Sequence, residues 1–213
     1  MIDVYCERLS PGFWAEPVNA LTNLGFLVAA WYGWLLYRRH PSAAPGSALL
    51  VPLVAVIGIG SFLFHTFATP WAAAADILPI LAFQVGYLWV YGKSVIHWRP
   101  ATGLSALALF VAAVVTVGQF RDLLNGSIAY APAVATLAVL AVIHLRRAHV
   151  GRYMLLAATG LLLASLTFRT LDETVCAALP VGTHFLWHLL NSVVLYLALH
   201  ALITESAQRQ TPR

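Results

Sequence analysis

The chain has 213 residues, of which 61% are apolar and only 9% charged, a balance that excludes a soluble globular domain and points to an integral membrane protein. A formal net charge of +4 would suggest nucleic acid as a partner of a soluble chain. Here the basic residues sit between apolar stretches, so no nucleic-acid partner is expected and their placement reports orientation instead.

The first seventeen residues, MIDVYCERLSPGFWAEP, are polar and aromatic. They lack the basic start and apolar run of a cleavable signal peptide, so they are expected to belong to the working protein. Apolar stretches near the roughly 20 residues that cross a bilayer as a helix then follow at 18–37, 48–67, 76–92, 101–119, 128–145, 152–169 and 183–203. Leu, Ala and Val dominate them without the alternation of an outer-membrane barrel. The expected fold is an all-α integral membrane protein, a seven-transmembrane helix bundle with residues 1–213 forming a single domain. There is no internal repeat and no low-complexity tract.

Nine basic residues, Arg38, Arg39, Lys93, Arg99, Arg146, Arg147, Arg152, Arg209 and Arg213, fall in the first, third and fifth loops or the C-terminal tail. Only Arg8, Arg121 and Arg169 fall on the other side. The positive-inside rule therefore predicts an extracytoplasmic N-terminus and a cytoplasmic C-terminus.

On that topology five polar residues share the outer membrane level. Ser61 and His65 stand one turn apart at the end of the second span, in GIGSFLFHTFATPW; Asp76, in AAAADILPI, stands at or just before the first turn of the third. His184 and His188, in THFLWHLLNSVVLYL, occupy the first two turns of the seventh. Ionisable groups at membrane depth face the bundle interior and mark functional sites. Three imidazoles with an open fourth position are the arrangement of a catalytic zinc site, with Asp76 and Ser61 left for proton transfer or oxyanion stabilisation. Taken singly, each has a blander reading: a hydrogen-bonded core histidine, an aspartate N-cap, a serine bonded to the carbonyl one turn back. His40, His97, His144 and His149 fall near the cytoplasmic ends or in loops, and His200 sits low on the last span, where interfacial histidines need no special role.

The segments YCER, FWAEPVNALTNL, GSFLFHTFAT followed by Asp76, FRTLDETVC and HFLWHLLN together make the chain resemble the alkaline ceramidases. These belong to a superfamily of seven-helix membrane hydrolases that also includes the adiponectin and progestin receptors. The resemblance implies zinc held by His65, His184 and His188, with Asp76 and Ser61 catalytic. It also implies a calcium site before the first helix. Glu7 and Glu16 fit that site, Asp3 fits with a one-residue slip, and Leu9 falls where an oxygen-bearing side chain is expected. Carboxylates on a short segment can ligate a hard cation, or simply be solvated charge. Glu16, Asn19 and Asn23 share one face of the first helix. Cys6 and Cys176, the only cysteines, both fall on the extracytoplasmic side, where an oxidising compartment lets them pair in a disulfide; two separate thiols are the alternative.

The parts imply a hydrolase. Zinc activates a water, Asp76 serves as general base, and Ser61 serves as oxyanion donor or, as a rival assignment, nucleophile. A site in the outer leaflet suits a lipid substrate, which the resemblance narrows to ceramide-type N-acyl lipids cleaved to a fatty acid and a sphingoid base. Another N-acyl or ester lipid is the nearest alternative. A receptor-like role lacks a long N-terminal domain, and a transporter is disfavoured because no helix pair is broken at matching positions of two halves. Short loops and the lack of an organelle-retention signal suggest a bacterial inner membrane.

Overall fold

In the computed structural model, which describes residues 1–120 and 123–210, the helices run in the order α1 (Pro17–Thr22), α2 (Leu24–Arg39), α3 (Ser47–Phe67), α4 (Pro70–Tyr91), α5 (Pro100–Val117), α6 (Ala131–Arg146), α7 (Met154–Val175) and α8 (His184–Gln210). A π-helical turn, Gly92–Ile96, continues α4, and a 3₁₀ segment, Leu123–Tyr130, leads into α6. With α1 joined to α2, seven helical segments among the described residues are long and apolar enough to cross a bilayer. The chain is thus an all-helical, multi-pass membrane protein, and no strand occurs among the described residues. Pro17, Pro70 and Pro100 open their helices, where proline's missing N–H would have had no helical partner.

Burial ranks the spans. Over half of the α8 window and half of that of α3 are buried, against 11% for α5. The last helix and α3 therefore line the centre, and α5 presents most of its surface outward. Val54, Tyr91, Leu155, Leu199 and Leu202 are fully enclosed between them.

Several boundaries differ from the sequence expectation. The third span begins at Pro70, not 76, because the alanine run Ala72–Ala75 is strongly helix-forming. Asp76 consequently lies in the second turn of α4, and Thr69, not Asp76, is the N-cap residue. The sixth span continues to Val175 and the seventh to Gln210. Both run past charged residues that look like span ends in sequence but find partners inside the bundle: Asp172 holds three backbone N–H groups, and Glu205 accepts the Val150 N–H and pairs with His149. A further break at Asn23 separates α1 from α2.

Arg38, Arg39, Lys93, Arg99, Arg146, Arg147, Arg152 and Arg209 collect at one end of the bundle; Arg121 and Arg213 lie outside the described residues. At the opposite end α3 and α4 approach so closely that a side chain on Gly60 would run into the Ala75 carbonyl. This contact sets Ser61 and Asp76 next to each other. Gly182, in the turn before α8, has φ +66° and faces the Asp172 carboxylate and Cys6. Gly182→Ala is expected to cost about 1–3 kcal/mol through the left-handed backbone alone, read as a lowered thermal midpoint in detergent.

Candidate metal centre

The site is assembled around one buried carboxylate. Asp172, fully enclosed near the end of α7, accepts the Cys6 N–H at 3.0 Å, the Thr183 N–H at 2.6 Å and the His184 N–H at 2.8 Å. It thereby satisfies donors that the first turn of α8 cannot bond internally and fastens the N-terminal segment over that turn. A disulfide joins Cys6 to Cys176, with Cα atoms 5.2 Å apart. Behind this double attachment Tyr5 stacks on His184, their ring centroids 3.6 Å apart. Burial pushes the Tyr5 phenol well above its ordinary pKa, so at neutral pH it is a neutral aromatic cover.

His65, His184 and His188 converge from α3 and α8. All three are at most 2% exposed, and one nitrogen of each lies within 4.8 Å of the others. The hydrogen bonds assign the tautomers. His65 Nδ1 faces Glu16 Oε2 at 2.5 Å, and an ionised carboxylate only accepts, so Nδ1 carries the proton. His188 Nδ1 lies 2.9 Å from Thr22 Oγ1. That hydroxyl gives its single proton to the carbonyl of Val18 or Asn19, so it accepts from His188. Both Nε2 atoms are then left with lone pairs, yet they stand only 3.1 Å apart, and His184 Nδ1 is buried without a partner. Lone pairs converging in this way repel unless a cation lies among them. Two nitrogens about 2.0–2.1 Å from a tetrahedral zinc are separated by about 3.3 Å. The residues therefore fit zinc, with Glu16 and Thr22 as the outer partners that fix ring orientation.

Ser61, buried in α3, lies beside the Asp76 carboxyl. With His188 they line one end of a cavity that continues inside the bundle between Phe83, Tyr87, Phe110 and Leu140. The Asp76-to-Tyr87 stretch of α4 rises about 16 Å. Arg169 closes the adjoining wall: it donates to the Asn125 carbonyl at 2.6 Å and to Ser127 Oγ at 3.0 Å, and its guanidinium lies over the Tyr130 and Trp187 rings.

The three acidic residues expected at a calcium site have separate surroundings. Asp3 is exposed. Glu7 spends its two oxygens on the N–H groups of Val18 and Asn19, at 2.7 and 2.8 Å. Burial raises the pKa of its carboxyl, an effect the two backbone bonds oppose. Glu16, 2% exposed, pairs with Arg8, with His65 and with the Asn19 amide. Burial pushes its pKa up, but His65 and Arg8 outweigh that and hold it below the usual carboxylate range. Among the described residues the histidine triad is the one group of three or more potential ligands.

His144 and His149 lie where expected, in the last turn of α6 and the loop after it, but both are buried. His144 bonds Tyr91 Oη and the Val150 carbonyl, and His149 pairs with Glu205. Sequence reading assigned no role to Asp172 or Thr22, although both lie in the segments FRTLDETVC and FWAEPVNALTNL that carry the resemblance. The charged cluster Arg169, Asp172 and Glu173 at the end of an otherwise apolar helix was the available signal for Asp172; nothing short of the fold signals Thr22.

A family model described as Ceramidase matches residues 5–213. No curated protein matches the chain.

Thr22→Val removes the acceptor for His188 Nδ1 with little change in volume. Zinc affinity is expected to fall about 10–100-fold, measured by competition with a chromogenic chelator in detergent, with the helical circular dichroism unchanged.

Proposed function

The chain belongs to the ceramidase family, and from that premise we propose that it is a zinc-dependent intramembrane amidase. It cleaves the N-acyl bond of ceramide-type lipids to a fatty acid and a sphingoid base. One observation carries the reading: three imidazole nitrogens with their outer partners in place converge beside a serine and a carboxylate, at the mouth of an apolar cavity within the bundle.

His65, His184 and His188 would hold the ion. When bound, zinc supplies a Lewis acid that brings the pKa of water toward about 7. Asp76 takes the proton from the attacking water and delivers it to the nitrogen as the C–N bond breaks, the role of a general base turned acid. Ser61, one turn before His65, donates a hydrogen bond to the carbonyl oxygen as it gains charge, a contact worth roughly 2.7–4 kcal/mol where such donors have been removed. The serine acts as donor and not nucleophile because the three nearby imidazoles are committed to the metal, leaving no histidine to take its proton. Phe83, Tyr87, Phe110 and Leu140 receive the acyl chain and keep water from behind the scissile bond.

The collection of basic residues at the far end supports a cytoplasmic C-terminus and so a site facing the extracytoplasmic leaflet. The Cys6–Cys176 disulfide agrees with an oxidising compartment on that side. A bacterial inner membrane suits these features.

Purified protein incubated with a panel of N-acyl and ester lipids, with and without a zinc chelator, is expected to release free fatty acid from ceramide and to stop when zinc is withdrawn. Activity surviving complete zinc removal refutes the mechanism. Asp76→Asn is expected to lower kcat about 10²–10⁴-fold with the zinc content unchanged. For orientation, green fluorescent protein fused after Arg213 is expected to fluoresce in bacterial cells and alkaline phosphatase at the same position to stay inactive; the reverse pair of results inverts the topology.

A further inference from the structure

Arg8 is a cation buried in the wall of the metal centre, and the proposed reaction does not use it directly. It is 3% exposed. Its Nε donates to Glu16 Oε1, its Nη2 donates to the His65 carbonyl at 2.7 Å, and its Nη1 reaches the Ser10 carbonyl at 3.4 Å. The guanidinium therefore ties three parts of the chain together: the N-terminal segment, the residue before α1, and the last turn of α3. A carbonyl in the last turn of a helix lies at the negative end of its dipole, which favours a cation there.

The second oxygen of the same carboxylate faces His65 Nδ1. This makes a relay, Arg8 to Glu16 to His65, whose far end is the Nε2 lone pair aimed at the triad. The relay needs positive charge beside Glu16. Burying a carboxylate is costly unless it is paired and hydrogen-bonded, and the guanidinium is the charged partner that this one has.

We propose that Arg8 is the built-in cation of this site. Its guanidinium does the work that the family resemblance gives to calcium, holding Glu16 in place and aimed at His65, so metal binding at the triad is independent of calcium. The surroundings agree. The charges of Arg8 and Glu16 cancel, the Glu7 oxygens are turned onto backbone N–H groups, and Val4 and Leu9 present exposed apolar side chains where a hard cation would need oxygen. Arg8 is thus a positioning residue that acts through Glu16 and His65, and the inference rests on reading the triad as a zinc site.

The test reads zinc affinity, by competition with a chromogenic chelator, and the thermal midpoint of the full chain in detergent, neither of which requires turnover. For the unaltered protein, adding calcium or a calcium-selective chelator is expected to move neither quantity. Arg8→Gln is expected to weaken zinc binding about 10–100-fold, and calcium is expected not to restore it. Arg8→Lys keeps the charge and is expected to recover part of the loss. Calcium that tightens zinc binding or raises the midpoint of the unaltered protein overturns the proposal, as does Arg8→Gln binding zinc as tightly as the parent. If Arg8→Gln does not fold, the calcium comparison and Arg8→Lys still decide. Intact, calcium-indifferent zinc binding with no release of fatty acid would sink the proposed reaction and leave this inference standing.

Discussion

The carboxylate of Asp172 is the contact from which the site follows. An acid in an apolar helix is tolerated only where the fold surrounds it with donors. Here the donors come from both ends of the chain: the Cys6 N–H and the first backbone groups of the last helix. Because those groups have no other partner, the carboxylate fixes where α8 begins, and hence which turns carry His184 and His188. The same bond draws residues 5–16 across the end of the bundle, bringing Tyr5 onto His184 and the Arg8–Glu16 pair onto His65. A candidate metal centre thus has its lid and its outer partners positioned by one acid, Asp172.

The two ends of the bundle handle buried polarity in different ways. At the basic end, Tyr91, His144, His149, Glu205 and Arg209 form a continuous network with the Val150 backbone, in which each of these side chains has a partner. That arrangement gives rigidity. At the triad end, lone pairs face one another and a ring nitrogen is left unpartnered. A buried polar atom without a partner costs about 1–3 kcal/mol, so this is the end of the molecule that has binding energy to gain from a ligand.

Much of this was legible in the chain before any coordinates. Seven apolar runs fixed the number of spans, and the charge asymmetry sorted the polar residues by depth, putting His65, Asp76 and the late histidine pair on one level. Span ends were misjudged for a physical reason. A charged residue reads as an exit from the membrane, whereas Asp172 and Glu205 are inside with partners that only the tertiary structure supplies. The same blindness applied to Glu7 and Glu16. Residue type suggested ligands for a hard cation, but the number of donors already facing each oxygen is a property of the fold. Asp76 was expected at or just before the first turn of its helix, whereas the helix starts six residues earlier at Pro70, where proline suits the first helical position.

The disulfide spans a sequence separation of 170 residues, and this sets an order on biogenesis. At about 5–20 residues per second, roughly ten to thirty seconds pass between synthesis of the N-terminal segment and of the helices it docks on. During that time Glu16 and Arg8 have His65 available, but α8 does not yet exist. The third and second ligands arrive together, last, on a single helix. A nascent chain therefore cannot bring its three buried histidines together until the whole bundle is threaded, so the site stays incomplete while the protein is still in the hands of the insertion machinery.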